Sequence, residues 1–533
     1  MCRRYDSQGK NSYANVPANI RRLTSRKITP NIGAGGNMAI ESAAALANVI
    51  DDLAHRKTPA SFSEIQTRLQ SYHDRRKVRV ANLSRRANGW TRVEALATPL
   101  LRLVAILVAP NLKDWVANNM AIYFVGSEKI MSLRESERSF RGTAAYNRNY
   151  GLDKPSNLTR RAVLALPFLL LAFLCRTVFR SVLSAPALTS EVARILGTAT
   201  ISFGTGQSWR LPSHPISIVQ TLVTIFSPSV LNIDPVSRLQ TWSFLTDFAP
   251  LYLIWLFEAD RRANTAKFIT FPLVYGLAAQ RLGLGVVGPV YFWLYYARTP
   301  IDHYLIPDWR LVNVAAAKTA LTSIVIAYLI PAFAMYFYPD LQTRLLVNAV
   351  WQTFPLQLSV IHYILSTFAV NDTTKEDRIT NIRADLPHIR FAVRVAAAIS
   401  AVTFNIVRFT TPTSMAKTFI PDWTVIASLL SRKSLNLDLS SGMRVLLQLD
   451  QLSSFAAAFL WLAYLLHDLK KAKMTQTGWA SFVGLVALGV VAVGPGATLI
   501  AGWMAREEIL ACKHLDGTVV RENDKDALTR EKA

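Results

Sequence analysis

Cysteine is almost absent from this 533-residue chain: Cys2, Cys175 and Cys512 stand far apart, with no CxxC and no paired spacing. That excludes a disulfide framework and a thiolate zinc site. The eight histidines are scattered without an HExxH pair, so metal catalysis by histidine ligands has no sequence support either. Charge is scarce as well, at 18% of residues against 51% hydrophobic, and mean hydropathy is +0.23. A chain this apolar departs from ordinary water-soluble composition. Residues 1–30 are polar and basic without an apolar core, which reads as no cleavable signal peptide at this end. Heptads and solenoid repeats are missing too.

The chain has 59 basic and 35 acidic residues, a net charge of +24. Of these, 26 basic and 12 acidic residues fall in 1–160. Aromatic residues do not alternate with the basic ones as a stacking platform would require, so nucleic acid is not an expected partner. Basic residues beside membrane spans set orientation and attract anionic lipid, and the lipid bilayer is the expected partner.

A glycine-rich turn, Gly33-Ala34-Gly35-Gly36-Asn37, leads directly into an alanine-rich helical stretch, Met38 to Ala47. Glycines permit close backbone approach, and a helix start offers unpaired N–H groups to an electron-rich ligand. The stretch from Lys27 to Ala47 resembles the third flavin-binding motif of fungal FAD-dependent monooxygenases of the aromatic-hydroxylase type, found in meroterpenoid and indole-diterpene pathways. The resemblance continues through Tyr72-His73-Asp74-Arg75-Arg76, Thr91-Arg92 and Arg138-Ser139-Phe140-Arg141-Gly142-Thr143. It implies FAD as cofactor, with Gly33, Ala34, Gly35, Gly36 and Asn37 against the flavin and its pyrophosphate. It also implies epoxidation of a prenyl chain in intact relatives. Arg22-Leu23 stand where the family has Gly-Asp, and the family's GxGxxG fingerprint is not found in the chain. The expectation is therefore a truncated C-terminal region of a flavin monooxygenase with little flavin affinity of its own.

Beyond position 160 the apolar runs recur, at about 162–179, 215–233, 241–258, 266–297, 315–338, 344–370, 390–409, 452–467 and 478–503. Each approaches the ~20 residues that span hydrocarbon. The expected fold is mainly α, with a polytopic helical membrane bundle of seven to nine spans. Residues 1–23 read as an unrelated polar leader, 24–155 as the monooxygenase fragment, 156–505 as the multi-pass region and 506–533 as a charged, mobile tail. Arg261-Arg262, Arg432-Lys433 and Lys470-Lys471 read as interfacial anchors.

Acids inside apolar runs are the main chemical signal, because a charge in hydrocarbon costs several kcal/mol unless it faces a partner or cavity. Asp247 and Glu258 lie eleven residues apart. That places both on one helical face about 16 Å apart, with Asp247 near Arg281, Asp302 or His303. The stretch from Tyr295 to Arg310 reads either as an interfacial aromatic belt or as a pocket mouth. In the second case Asp302 and His303 move protons and aromatic faces stabilise a carbocation. Residues 210–370, with the segment GPVYFWLYYARTP, resemble membrane-bound terpene cyclases, which implies Asp247, Glu258, Asp302 and His303 as catalytic candidates acting on an epoxidised prenyl substrate. Asn371-Asp372 to Asp377 reads as an Asp-rich diphosphate motif or as a solvated loop. A transporter, built on discontinuous helices at Gly283-Leu284-Gly285 and Pro331, and an anchor that gathers other pathway enzymes are the competing classes. The expected location is an endoplasmic-reticulum type of membrane. If the apolar runs lie in lipid, the protein stays in the membrane pellet through a high-salt wash and enters solution only with detergent, as fractionation and immunoblotting will report.

Overall fold

The computed structural model describes residues 34–56, 58–108, 128, 130–133, 156–203, 206–214, 216–265, 267–304, 307–369, 383–431, 437–472 and 474–511. The leader, Gly33, Arg138–Thr143, Asn371–Asp377 and Arg432-Lys433 lie outside them. The chain divides into two compact units, Met1–Asn147 and Arg148–Ala533.

In the first unit, α1 (Ala34–Ala54) pairs with the long basic helix α2 (Phe62–Glu94), and a short α3 (Pro99–Leu103) follows. Ser61 caps α2 by accepting from the Glu64 amide at 3.3 Å. The pairing is held by Arg76, whose guanidinium reaches the Glu41 carboxylate and donates to Ser42 Oγ at 3.0 Å. Tyr72 Oη donates to the Ser42 carbonyl at 3.3 Å. The Tyr72–Arg76 stretch thus joins two helices.

Among its described residues, the second unit is mainly helical and carries one hairpin, β1 (Thr200–Ser202) and β2 (Ser208–Arg210), paired antiparallel with Ile201 opposite Trp209. It opens with α4 (Leu158–Leu164), α5 (Leu166–Leu183) and α6 (Pro186–Thr198). After the hairpin come α7 (Ser217–Val230), α8 (Pro235–Ala259), α9 (Pro272–Leu282), α10 (Leu284–Arg298), α11 (Val314–Ile324), α12 (Ile330–Phe337), α13 (Leu341–Trp351) and α14 (Phe354–Ala369). α15 (Leu386–Thr410), α16 (Met415–Phe419), α17 (Trp423–Leu430), α18 (Leu439–Lys471), α19 (Trp479–Val493) and α20 (Pro495–Ala511) complete it.

The axis of the unit is α8. Asp234 caps it, accepting from the amides of Val236 and Ser237, and Pro235 fits the first turn, where no donor is needed. Nearly every residue from Gln240 to Glu258 is buried, as expected of a helix that is apolar all round. Helices α7, α11, α15, α18 and α20 pack on it. Its Pro250 cannot continue the amide ladder, and nearby Tyr328 Oη donates to the Leu245 carbonyl at 2.8 Å. Tyr328 sits in a π turn, Val325–Leu329, just before Pro331.

Among the described residues, four helical segments are long and apolar enough to cross a membrane: Leu158–Leu183, Val314–Phe337, Leu386–Thr410 and Leu439–Lys471. Ser217–Val230, Phe354–Ala369 and Trp479–Val493 are apolar but shorter. Part of the difference from the nine apolar runs, and the seven to nine spans expected of them, arises where continuous hydropathy is cut by backbone geometry. The run 266–297 breaks at Gly283, which has φ +88°, and 478–503 breaks at Gly494, which has φ +86°. The run 344–370 breaks between α13 and α14. Arg506 and Glu507, read from sequence as the start of a mobile tail, lie inside α20 and are buried.

At Gly283 a Cβ would meet Phe179 Cε2 at 2.2 Å, and the positive φ is strained for any other residue. Gly283→Ala should therefore destabilise the second unit by about 1–3 kcal/mol, read as a lower unfolding midpoint of the purified protein against wild type.

Candidate functional site

The C-terminal end of α8 carries Glu258 into a cluster of charges with no access to solvent. Arg261 grips it twice, Nε to Oε2 at 2.9 Å and Nη2 to Oε1 at 3.1 Å. Asn264 Nδ2 donates to Oε2 at 2.9 Å, Tyr295 Oη to Oε2 at 2.9 Å, and Trp503 Nε1 to Oε1 at 3.0 Å. Arg506 Nη1 lies 3.3 Å from Oε1 and 2.9 Å from Glu507 Oε1. Glu507 also binds Arg261, Nη1 to Oε2 at 3.0 Å, and Arg310 at 3.5 Å. Arg310 in turn bonds Asp385 Oδ1, whose other oxygen accepts from the Val312 amide at 2.9 Å.

The backbone makes this convergence possible. Residues after α8 and before α11 run side by side, with the Arg262 amide donating to the Leu311 carbonyl at 3.1 Å and the Asn313 amide to the Asp260 carbonyl at 3.0 Å. An isolated bridge pairs Arg261 with Val312. Arg261 and Arg262 are thus buried in the structure and do not act as the interfacial anchors their sequence suggests. Three guanidinium groups meet three carboxylates, so the cluster balances its charge. Removing one partner strands another: Glu507→Gln should cost about 3–5 kcal/mol, measured as lost monodispersity and a lowered unfolding midpoint, whereas the same change at Glu191, whose ion pair with Arg194 lies near the surface, should cost under about 1 kcal/mol.

Asp247, three turns earlier on α8, is fully buried among neutral groups. Ser400 Oγ donates to Oδ1 at 2.6 Å, the Gly496 amide to Oδ1 at 3.2 Å, and Gln451 Nε2 to Oδ2 at 3.3 Å. Its neighbours come from α15, α18 and α20, not from the expected Arg281 region, and Arg281 is exposed. The sequence could not disclose these partners because each is more than 150 residues away. The Gly496 backbone approaches so closely that a Cβ there would stand 2.7 Å from Asp247 Oδ1.

Between the two acids lies an aromatic core. Phe248, Tyr252 and Trp255 of α8 meet Tyr275, Tyr291, Tyr328 and Phe354, with Trp255 and Tyr291 centroids 4.7 Å apart and Tyr328 and Phe354 also 4.7 Å apart. Among the described residues, Tyr291 Oη and Trp255 Nε1 are buried without a hydrogen-bond partner. Tyr295, Tyr296 and Tyr304 are buried too, which rules out the interfacial-belt reading of their segment. Asp302 and His303 fall in a short 3₁₀ turn, Ile301–Tyr304, and their side chains lie outside the described residues.

Sequence reading passed over further buried charges in the same unit. Asp450 on α18 accepts from the Gly285 amide, and Ser453 Oγ donates to the Gly285 carbonyl at 2.7 Å. Arg161 and Asp468 form a two-pronged pair at 2.8 Å on each arm, with the guanidinium 3.8 Å over the Tyr296 ring. The arginines involved carry no motif, so only an acid inside an apolar stretch, as at 450, could have flagged them.

In the first unit, Ala34 opens α1, and Gly35, Gly36 and Asn37 occupy its first turn, exposed. A Cβ at Gly35 or Gly36 would meet nothing within 4 Å. An open, side-chain-free helix start fits a pyrophosphate or flavin edge.

The CtvD domain family matches residues 217–511, which hold α7 through α20 and both acids. The FAD-dependent monooxygenase verC1 of Penicillium polonicum is 31% identical over 93% of this chain and 61% of its own length. The FAD-dependent monooxygenase BOA8 of Botryotinia fuckeliana is 29% identical over 92% of this chain and 57% of its own. The terpene cyclase ascI of Acremonium egyptiacum is 23% identical over 38% of this chain and 52% of its own. The chain thus spans about three fifths of the length of the monooxygenase relatives it matches. No solved structure matches it. With its matched region covering more than half of its length, the chain belongs to the CtvD-domain family and is a homologue of fungal FAD-dependent monooxygenases.

Proposed function

We propose that this protein serves fungal secondary-metabolite biosynthesis as an FAD-dependent monooxygenase-family polypeptide whose second unit handles a prenylated substrate in an endoplasmic-reticulum type of membrane. Similarity to the monooxygenase relatives runs through both units, which supports treating them as parts of one system. In the first unit, Gly33 to Asn37 would hold the flavin at the α1 start, and the flavin, when bound, supplies reductive activation of dioxygen. The domain limits 24–155 and 156–505 follow the same reading. In the second, the four long segments and the three shorter apolar helices make seven candidate crossings, and α8 and the run interrupted at Gly283 would bring the number to nine.

The second reading is cyclisation of an epoxidised prenyl chain, supported by the partial similarity to a terpene cyclase. One observation carries it: Asp247 is a buried acid whose hydrogen-bond partners are all neutral. Protonating Asp247 breaks no ion pair, whereas protonating Glu258 would take from Arg261 and Arg506 one of the two carboxylates that each binds. Asp247 is accordingly the proton donor to the epoxide oxygen. The ring faces of Phe248, Trp255 and Tyr328 lie along the path of the cation that follows, and cation–π attraction stabilises it there. Glu258 acts by position: its five donors fix Tyr295 and the end of α8. Asp302 and His303 would stand at the mouth of this space and carry the returning proton.

A general acid contributes about 10²–10⁴-fold. Asp247→Asn should therefore cut conversion of an epoxidised farnesyl-arene by about that factor at unchanged expression, whereas Glu258→Gln should mainly lower the yield of folded protein. Wild-type protein inert to such epoxides, with product assayed by mass spectrometry, would remove the cyclase reading and leave the second unit as an anchor.

A further inference from the structure

The flank of the second unit holds a cavity of about 380 Å³ between α18, α19 and α20. Its walls are apolar, with Leu465, Leu469, Phe482, Val486 and Ala501 among them, and Arg506 contributes its one charged side chain among the described residues. Two glycines let the helices close around it. A Cβ on Gly489 would meet Thr498 at 2.8 Å, and one on Gly502 would meet Leu462 Cδ2 at 2.4 Å. The outer wall, α19, buries none of its residues, and Val483, Leu485, Leu488 and Val491 are each more than 60% exposed. A helix so apolar and so bare faces lipid, so the groove opens toward the bilayer.

At the inner end, Arg506 is only 4% exposed and reaches the other way, to Glu258 Oε1 at 3.3 Å and Tyr295 Oη at 3.4 Å. The same side chain therefore lines the groove and closes the charge cluster. We propose that this groove is a lateral portal that takes one linear isoprenoid chain out of the bilayer and brings its neutral oxygen-bearing end to Arg506. The volume falls in the range of about 300–1,000 Å³ typical of small-molecule sites, enough for a single chain. Charge sets the kind of end group: Glu258 and Glu507 already hold the Arg506 guanidinium, so a phosphate would have to compete with two buried carboxylates, while an alcohol or epoxide would only accept a hydrogen bond. The proposal rests on the reading that the second unit handles a prenylated substrate, and it names the route that substrate takes.

The test uses the protein in nanodiscs with a farnesol analogue carrying a photoactivated diazirine. Labelled peptides should map to Leu462–Leu469 and Phe482–Val493, and Ala501→Trp, which fills the groove from an exposed position, should reduce their labelling about ten-fold. Ala505→Trp provides a second plug if the first variant fails to fold, and Leu170→Trp, on the exposed face of α5, should leave the labelling unchanged. Equal labelling in the plugged variants, even labelling of every exposed apolar helix, or full displacement by excess phosphatidylcholine would each overturn the portal. Loss of product with the groove still labelled would count against the cyclase reading and leave the portal standing.

Discussion

Six charged side chains packed away from water impose the strictest condition on this structure. Taking Glu258, Arg261, Arg310, Asp385, Arg506 and Glu507 out of solvent costs several kcal/mol per ion, and only near-complete pairing and hydrogen bonding offset that cost. Glu258 alone receives donors from five residues. Those donors come from the turn after α8, from α10 and from α20, while Arg310 and Asp385 bring in the approach to α11 and the entry to α15. Five parts of the chain must be in place at once before all of these charges are satisfied. The arrangement selects one packing of the helices, because alternatives strand an ion.

That rigidity has a consequence for chemistry. The acids at the cluster are held by guanidinium partners, while Asp247, on the same helix as Glu258, is surrounded by a hydroxyl, an amide side chain and a backbone N–H. Two acids on one helix face thus receive opposite surroundings, Glu258 among guanidinium groups and Asp247 among neutral donors. The aromatic side chains between them, from Phe248 to Tyr291, line an interior with few polar atoms.

Apolar burial and glycine geometry supply the remaining constraint. Gly496 brings the start of α20 against Asp247, Gly285 brings α10 against Asp450, and Gly283 turns the chain between α9 and α10. None of these contacts tolerates a Cβ without movement of a neighbour. Glycine here sets the distance between helices, and that distance decides which buried acid receives a backbone donor.

Helical character, the concentration of apolar segments after about residue 160, the glycine-rich start of α1 and the presence of acids within apolar stretches were all legible in the sequence, because each is a local pattern of composition or spacing. The sequence also placed Asp247 and Glu258 on one face of α8. It could not say where continuous hydropathy would break, since a positive φ at Gly283 or Gly494 depends on what packs against it. Nor could it pair Glu258 with Arg506 or Asp247 with Ser400, separated by 248 and 153 positions. Residue type determined that charges had to be compensated inside this protein; only the tertiary structure decided by which partners, because pairing in a low-dielectric interior is a matter of distance, and distance across helices is set by packing.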